Sequence, residues 1–162
     1  MKKLVFGLFG LGLVFGLSGL ALAGNTAQQT VTYQVDAINE ISVSGNPGDL
    51  VVNSATAGSE PNEDTDNSTN WAITTNQTAR KITGSINTAM PTNVTLEINL
   101  TAPTGGVSEN DVSLSATDAD LVTSIETVAE SGLTITYTLS ATVAAGVVPQ
   151  AQKTVTITLT AE

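Results

Sequence analysis

Residues 133–140 read Leu-Thr-Ile-Thr-Tyr-Thr-Leu-Ser, and this stretch decides the fold class. Apolar side chains occupy every second position, which is the period of a strand with one buried face and one exposed face. Threonine fills most of the polar positions, and its β-branched side chain suits the exposed face of a pleated strand. The stretch therefore predicts a half-buried β-strand.

The same alternation recurs along most of the chain. It is clearest again at Val155, Ile157 and Leu159, and shorter runs lie at residues 31–35, 41–43, 50–52, 71–74, 82–86 and 96–100. Clusters of turn-forming residues separate these runs at 45–49, 90–93, 103–106 and 145–149. Only residues 118–123 are a weak helical candidate. This spacing predicts an all-β fold, a single immunoglobulin-like antiparallel β-sandwich.

The first residues have the three-part layout of a secretory signal peptide. Lys2 and Lys3 precede an apolar stretch at residues 4–17, and Ala21-Leu22-Ala23 offers the small residues that signal peptidase requires. The apolar stretch is shorter than the ~20 residues that span a bilayer. We expect cleavage after residue 23, one sandwich domain over residues 24–162, and no stable membrane anchor in the mature chain. The protein should be exported to the periplasm, the cell surface or the medium.

The charge of the chain excludes some partners. Fifteen acidic residues stand against five basic ones, and loss of the signal peptide leaves three basic residues and a net charge of −12. A surface of that sign repels nucleic acid, so nucleic acid is not an expected partner.

The sequence carries little of the chemistry of an enzyme. Its many acids leave a paired-carboxylate mechanism open, but nearly all of them lie in turns or on the polar face of strands. There is no histidine, which removes the usual general base and the commonest transition-metal ligand. No Gly-x-Ser-x-Gly elbow presents a serine nucleophile. We therefore predict no catalytic residue, no cofactor and no enzymatic activity.

Residues 55–69 form the most polar segment and include four of the acids. The segment predicts an acidic, mobile surface loop. Asp64 and Asp66 are weak calcium candidates, because Ca²⁺ takes six to eight oxygen ligands. No full calcium-loop signature is present, so a solvated acidic loop is the favoured interpretation and no metal site is predicted.

Trp71 is the only tryptophan and opens a predicted strand. A ring of that size gains most from burial, so a core position is the favoured interpretation. The alternative is an exposed platform on which a sugar ring stacks.

The end of the chain carries a resemblance to a known group. Residues 137–146 read Tyr-Thr-Leu-Ser-Ala-Thr-Val-Ala-Ala-Gly, and residues 154–160 read Thr-Val-Thr-Ile-Thr-Leu-Thr. Together they resemble the final strand pair of the spore-coat-U and fimbrial-subunit group, among the secreted pilin-like and immunoglobulin-like domains of bacterial surfaces. The resemblance implies a structural or adhesive role at the cell surface.

Two functional hypotheses follow. The first is a cell-surface, fimbrial or coat-type subunit whose partners are copies of itself or other surface proteins. In that case Val31, Tyr33 and Val35, alternating behind a short polar N-terminus, form a self-assembly strand that pairs in a neighbour's sheet. An ordinary first strand within its own domain is the competing interpretation. The second hypothesis is a monomeric adhesion module that recognises glycan or protein through its loops.

Overall fold

The structure, a computed structural model, describes residues 25–162. The predicted signal peptide, residues 1–23, lies outside the described residues. The described chain divides at Gln34 into a short N-terminal unit and the unit Val35–Glu162.

The unit Val35–Glu162 is built from β-strands. Residues 25–162 contain nine named strands, one short 3-10 turn at Val143–Ala145 and no α-helix. The strands are β1 (Asn39–Val43), β2 (Asp64–Thr75), β3 (Arg80–Ile86), β4 (Val94–Leu100), β5 (Val107–Ser108), β6 (Val112–Ser113), β7 (Ala119–Ile125), β8 (Val128–Ala141) and β9 (Val155–Ala161).

The strands form two antiparallel sheets. The first has the order β1-β2-β8-β4-β6, and the second has the order β5-β7-β3-β9. Every strand pairing is antiparallel. The prediction of an all-β, antiparallel fold is therefore confirmed.

Strand β8 is the centre of the first sheet. Its alternating residues 133–139 pair with β2 on one side, where Leu133 lies opposite Trp71, and with β4 on the other, where Leu139 lies opposite Leu96. The stretch that decides the fold class is thus a strand with partners on both edges.

Both sheets contribute to one hydrophobic core. The core residues include Trp71, Ile98 and Ile135 from the first sheet and Ile82 and Leu121 from the second. Those of β2, β3, β4 and β8 come from alternate positions, as the period-two pattern predicts. Strand β7 instead buries the adjacent Leu121 and Val122, which the pattern did not predict. One glycine is required by this packing: a Cβ at Gly84 would lie 2.6 Å from Leu121 Cδ1.

Four predicted segments differ from the structure. Residues 64–69 belong to β2, so the predicted acidic loop is shorter than residues 55–69. Residues 118–123 are not helical, because β7 covers residues 119–125. Neither residues 50–52 nor residues 31–35 lie in a strand. The first three differences have a common cause, which is that neighbouring strands and backbone contacts override weak local patterns.

Candidate functional site

The carboxylates of the calcium candidates Asp64 and Asp66 accept hydrogen bonds from backbone N–H groups. Asp64 Oδ2 accepts a hydrogen bond from Val51 N at 2.7 Å, and its Oδ1 accepts one from Thr65 N at 3.1 Å. Asp66 Oδ1 accepts from Ser68 N at 3.1 Å and from Ser68 Oγ at 2.8 Å. These bonds use part of the acceptor capacity of the two carboxylates.

The pKa of Asp66 lies below the ordinary aspartate value, because its hydrogen bonds favour the charged form. The hydrogen bond from the Ser68 hydroxyl is the main cause that lowers this pKa, and the backbone N–H groups of Ser68 and Gly48 lower it further. Asp66 therefore stays ionised at pH values where an ordinary aspartate begins to protonate.

Both carboxylates fasten residues 44–63, which we call the strap. The strap connects β1 to β2. At its start, Ser44 N donates a hydrogen bond to Asn70 O of β2 at 2.9 Å, and within the strap Asn62 N donates one to Ser54 O at 2.8 Å. Its Leu50 packs against the hydrophobic core. The acidic segment thus serves to attach a long connection to the edge of a sheet.

The described residues contain no group of three or more His, Cys, Asp and Glu side chains that could hold a metal ion. Of the other acid pair in the sequence, Asp118 and Asp120, the second forms a salt bridge of 2.8 Å with Lys81. The side chains of Lys81 and Asp120 are 25% and 43% exposed, so this salt bridge lies on the surface of the sheet.

Trp71 lies in the core, as the favoured interpretation predicts. Its side chain is 1% exposed, and its indole Nε1 donates to Thr101 O at 3.2 Å. A ring buried to this degree cannot stack on a sugar, so the platform alternative for Trp71 is wrong.

The predicted self-assembly residues are the most exposed large apolar side chains of their region. Val31 is 77% exposed, Tyr33 is 89% exposed and Val35 is 79% exposed. We call residues 28–35 the leader. No residue of the leader lies in a strand of the described chain, and pairing within its own domain or with a neighbour stays a prediction.

The chain becomes attached to its own sheet immediately after the leader. The Asn76 side chain accepts a hydrogen bond from Ile38 N at 2.8 Å through Oδ1, and it donates one to Asp36 O at 2.8 Å through Nδ2. Strand β1 then pairs with β2 from Asn39 onward. One asparagine side chain therefore sets the point at which regular pairing begins.

An open apolar groove of about 1520 Å³ runs through the unit Val35–Glu162. Strand β8 contributes Ile135, Tyr137 and Leu139, and strand β9 contributes Val155 and Ile157. Strands β1 and β4, the strap and the connections around β9 complete the walls.

The unequal lengths of the strands explain why the groove is open. Strand β8 has 14 residues and β2 has 12, whereas β3, β7 and β9 have seven each. At about 3.3 Å per residue, β8 extends roughly twice as far as any strand of the second sheet. Part of its apolar face therefore has no strand opposite, and Leu139 is only half-buried.

Thr69 lies in the wall of the groove and is buried to 4% exposure. Within residues 25–162 its Oγ1 has no hydrogen-bond partner. A buried hydroxyl without a partner costs about 1–3 kcal/mol. Tyr137 lines the same groove, and burial raises the pKa of its phenol.

Strand β9 borders the groove and is the last strand of the second sheet. It pairs with β3 over Val155–Ala161, and no other strand of the described chain pairs with its second edge. Its core-facing residues Val155, Ile157 and Leu159 are only half-buried, whereas Ile82 and Ile86 on β3 are fully buried. The core is therefore incomplete along this edge.

A scan of the chain against protein-family models, curated proteins and solved structures finds no match. Within residues 25–162, no helix is long and apolar enough to cross a membrane.

The sequence located some of these features and missed others. It singled out the leader through its alternating Val31, Tyr33 and Val35. It gave no signal for the groove, because the groove depends on how far β8 extends beyond the other sheet. The unpaired hydroxyl of Thr69 likewise follows from packing and has no local sequence signature.

Proposed function

We propose that this chain is an exported structural subunit of a cell-surface, fimbrial or coat-type assembly. Its body is an immunoglobulin-like sandwich made of the two antiparallel sheets. Copies join because the leader of one subunit becomes a strand in the sheet of another. The subunit acts by assembly and has no catalytic step.

The observation that carries the proposal is the exposure of the leader. Three alternating apolar side chains stand 77%, 89% and 79% exposed in a chain that buries the same pattern elsewhere. Burying a side chain such as valine or an aromatic ring contributes about 1.5–3 kcal/mol each. Burial of all three side chains in a partner surface would therefore offset part of the entropy lost on association.

Two features of the sequence support export and assembly. Residues 1–23 have the layout of a signal peptide, and the remaining chain has an excess of twelve acidic charges. Such an excess keeps free subunits soluble by repulsion. Residues 25–35 carry no charged side chain, so the leader itself does not contribute to that repulsion.

A matched pair of substitutions tests the proposal. The material is the exported protein, whose N-terminus mass spectrometry should place at Gly24. Light scattering after size-exclusion chromatography, followed by electron microscopy, should show concentration-dependent assembly of the wild type. Tyr33→Asp should abolish assembly, because it places a charge on the apolar face of the leader.

The control is Thr32→Asp, which adds the same charge one residue earlier on the opposite face of the strand. It should reduce assembly much less than Tyr33→Asp does. A wild-type protein that stays monomeric at high concentration, or equal loss in both variants, would contradict the proposal.

A further inference from the structure

The groove contains an ammonium group whose charge has no carboxylate partner. Lys153 lies in the wall of the groove, and its Nζ donates hydrogen bonds to Thr88 Oγ1 and to Ala89 O, each at 2.8 Å. Both acceptors are neutral, and an ammonium group has three donors, so one donor and the whole positive charge are left over. Within the described residues the ion pair of the chain lies elsewhere, between Lys81 and Asp120.

The groove also differs in charge from the rest of the chain. Loss of the predicted signal peptide leaves three basic residues against fifteen acidic ones. Among the described residues that line the groove, only Lys153 and Asp49 are charged, so the groove as a whole is neutral. A small anion, which the excess of acidic residues repels elsewhere, would therefore meet the least repulsion here.

Two buried hydroxyl groups in the groove are not satisfied by the chain itself. Thr69 is 4% exposed, and its Oγ1 has no hydrogen-bond partner within residues 25–162. Tyr137 is 7% exposed, and burial is the cause that raises the pKa of its phenol. A large apolar pocket that also holds a few polar groups and a perturbed pKa is the usual composition of a small-molecule site.

The apolar lining of the groove is mainly aliphatic. Leu50, Met90 and Ile157 are partly buried at the edge of the core, and Leu139 adds to the same lining. Tyr137 is the only aromatic side chain among the described lining residues, so there is little surface on which a sugar or an aromatic ring could stack. An extended aliphatic chain matches this lining better than a compact ring does.

We propose that the groove binds a single-chain aliphatic carboxylate, a ligand of the fatty-acid class. Its hydrocarbon chain contacts Leu50, Leu139 and Ile157, and its carboxylate accepts the remaining N–H of Lys153. This site lies within the unit Val35–Glu162 and goes beyond the proposed function, because it does not depend on whether copies of the chain assemble.

Calorimetric titration of the mature protein tests the assignment with probes that differ in head group or in length. Dodecanoate, used below the concentration at which it forms micelles, should bind at one site per chain. Decanoate should bind about tenfold more weakly, because it buries two fewer methylene groups. Dodecyltrimethylammonium has the same chain and the opposite charge, and it should bind at least tenfold more weakly than dodecanoate although the protein is acidic.

A matched pair of substitutions locates the head group. Lys153→Gln should weaken dodecanoate binding at least tenfold, because the amide keeps a hydrogen-bond donor and loses the charge. The control is Lys81→Gln, which removes the same charge from the salt bridge on the sheet surface and should change the affinity less than twofold. Circular dichroism checks that both variants fold.

Methyl nuclear magnetic resonance of the wild-type protein locates the hydrocarbon chain without any substitution. Dodecanoate should shift the methyl signals of Leu50, Leu139 and Ile157. It should leave those of Val107 unchanged, because Val107 lies on β5 and does not line the groove.

The contrary outcomes are equally specific. Absence of saturable binding below the micelle concentration would overturn the assignment, and so would equal affinities for dodecanoate and dodecyltrimethylammonium. Equal weakening by the two lysine substitutions, or methyl shifts confined to residues outside the groove, would also overturn it. The proposed function is tested separately, by assembly of the protein without ligand, so the two can fail independently.

Discussion

At the residue scale, single side chains have distinct structural roles that their type alone does not reveal. Trp71 fills the centre of the core and also donates a hydrogen bond to Thr101 O at 3.2 Å. Asn76 fixes the chain next to β1 through two hydrogen bonds. Thr69, by contrast, is buried with an unpaired hydroxyl in residues 25–162.

Trp71 should be the most costly of these residues to remove. Truncation of a fully buried large aromatic leaves a cavity, so Trp71→Ala should lower the free energy of unfolding by about 3–5 kcal/mol. Trp71→Phe should cost less, because it keeps most of the apolar volume while removing the indole N–H. Urea denaturation followed by circular dichroism measures both, and a loss below about 1 kcal/mol for Trp71→Ala would contradict a core role.

At the element scale, the sequence predicts which residues form strands better than it predicts which strands pair with each other. The alternation at residues 133–139 and 155–159 gave β8 and β9 because each strand has one apolar face. The residues 64–69 escaped prediction, since Asp64 and Asp66 look like loop residues although they lie in β2 and bind the strap. The leader has the same alternation as β9, yet only β9 lies in a strand of the described chain.

These cases share a physical reason. Period-two alternation reports that one face of a segment can be buried, but it does not specify which strand covers that face. For the candidate site, the sequence therefore located the leader and could not locate the groove.

The strap offers an element-scale prediction about its carboxylates. Asp64→Ala removes the acceptor of the 2.7 Å hydrogen bond from Val51 N, so hydrogen–deuterium exchange at neutral pH should accelerate across residues 44–55. Asp49→Ala is the control, because Asp49 lies in the strap and its carboxylate makes no hydrogen bond in the described chain. Added Ca²⁺ should change neither rate, and slower exchange of the wild type with Ca²⁺ would instead support a metal site.

The pH dependence of the strap has a definite sign. Asp66 has a lowered pKa in the folded protein, so its contribution to stability is fully present above the ordinary aspartate pKa. That contribution is lost as the pH falls through the lowered value. In the wild type, exchange across the strap should therefore accelerate only under clearly acidic conditions, after correction for the intrinsic exchange rate.

At the scale of the whole molecule, some segments that lack charged side chains also have apolar side chains that are not fully buried. Acidic residues cover the chain, while the leader and the residues 154–161 are free of charge. Both segments leave apolar side chains exposed or half-buried, as does the uncharged stretch of residues 131–152, where Val147 is 99% exposed.

Removal of the leader should therefore separate folding from assembly. A chain beginning at residue 36 keeps both sheets and the Asn76 contacts, so we expect it to remain β-rich by circular dichroism and to be monomeric by light scattering. A synthetic peptide of residues 28–35 should then bind it and raise its melting temperature. At a peptide concentration of 100 times the Kd, binding adds about 2.7 kcal/mol of stability.

The control peptide replaces Val31, Tyr33 and Val35 with serine and keeps the polar positions unchanged. It should leave the melting temperature unaltered, because main-chain hydrogen bonds alone lack the apolar contacts that fill the groove. The opposite outcome is a full-length protein that stays monomeric and a shortened chain that fails to fold. Together these two results would show that the leader stabilises its own domain. The exposed alternation would then be a stabilising element of a single subunit, and strand exchange between copies would have no donor.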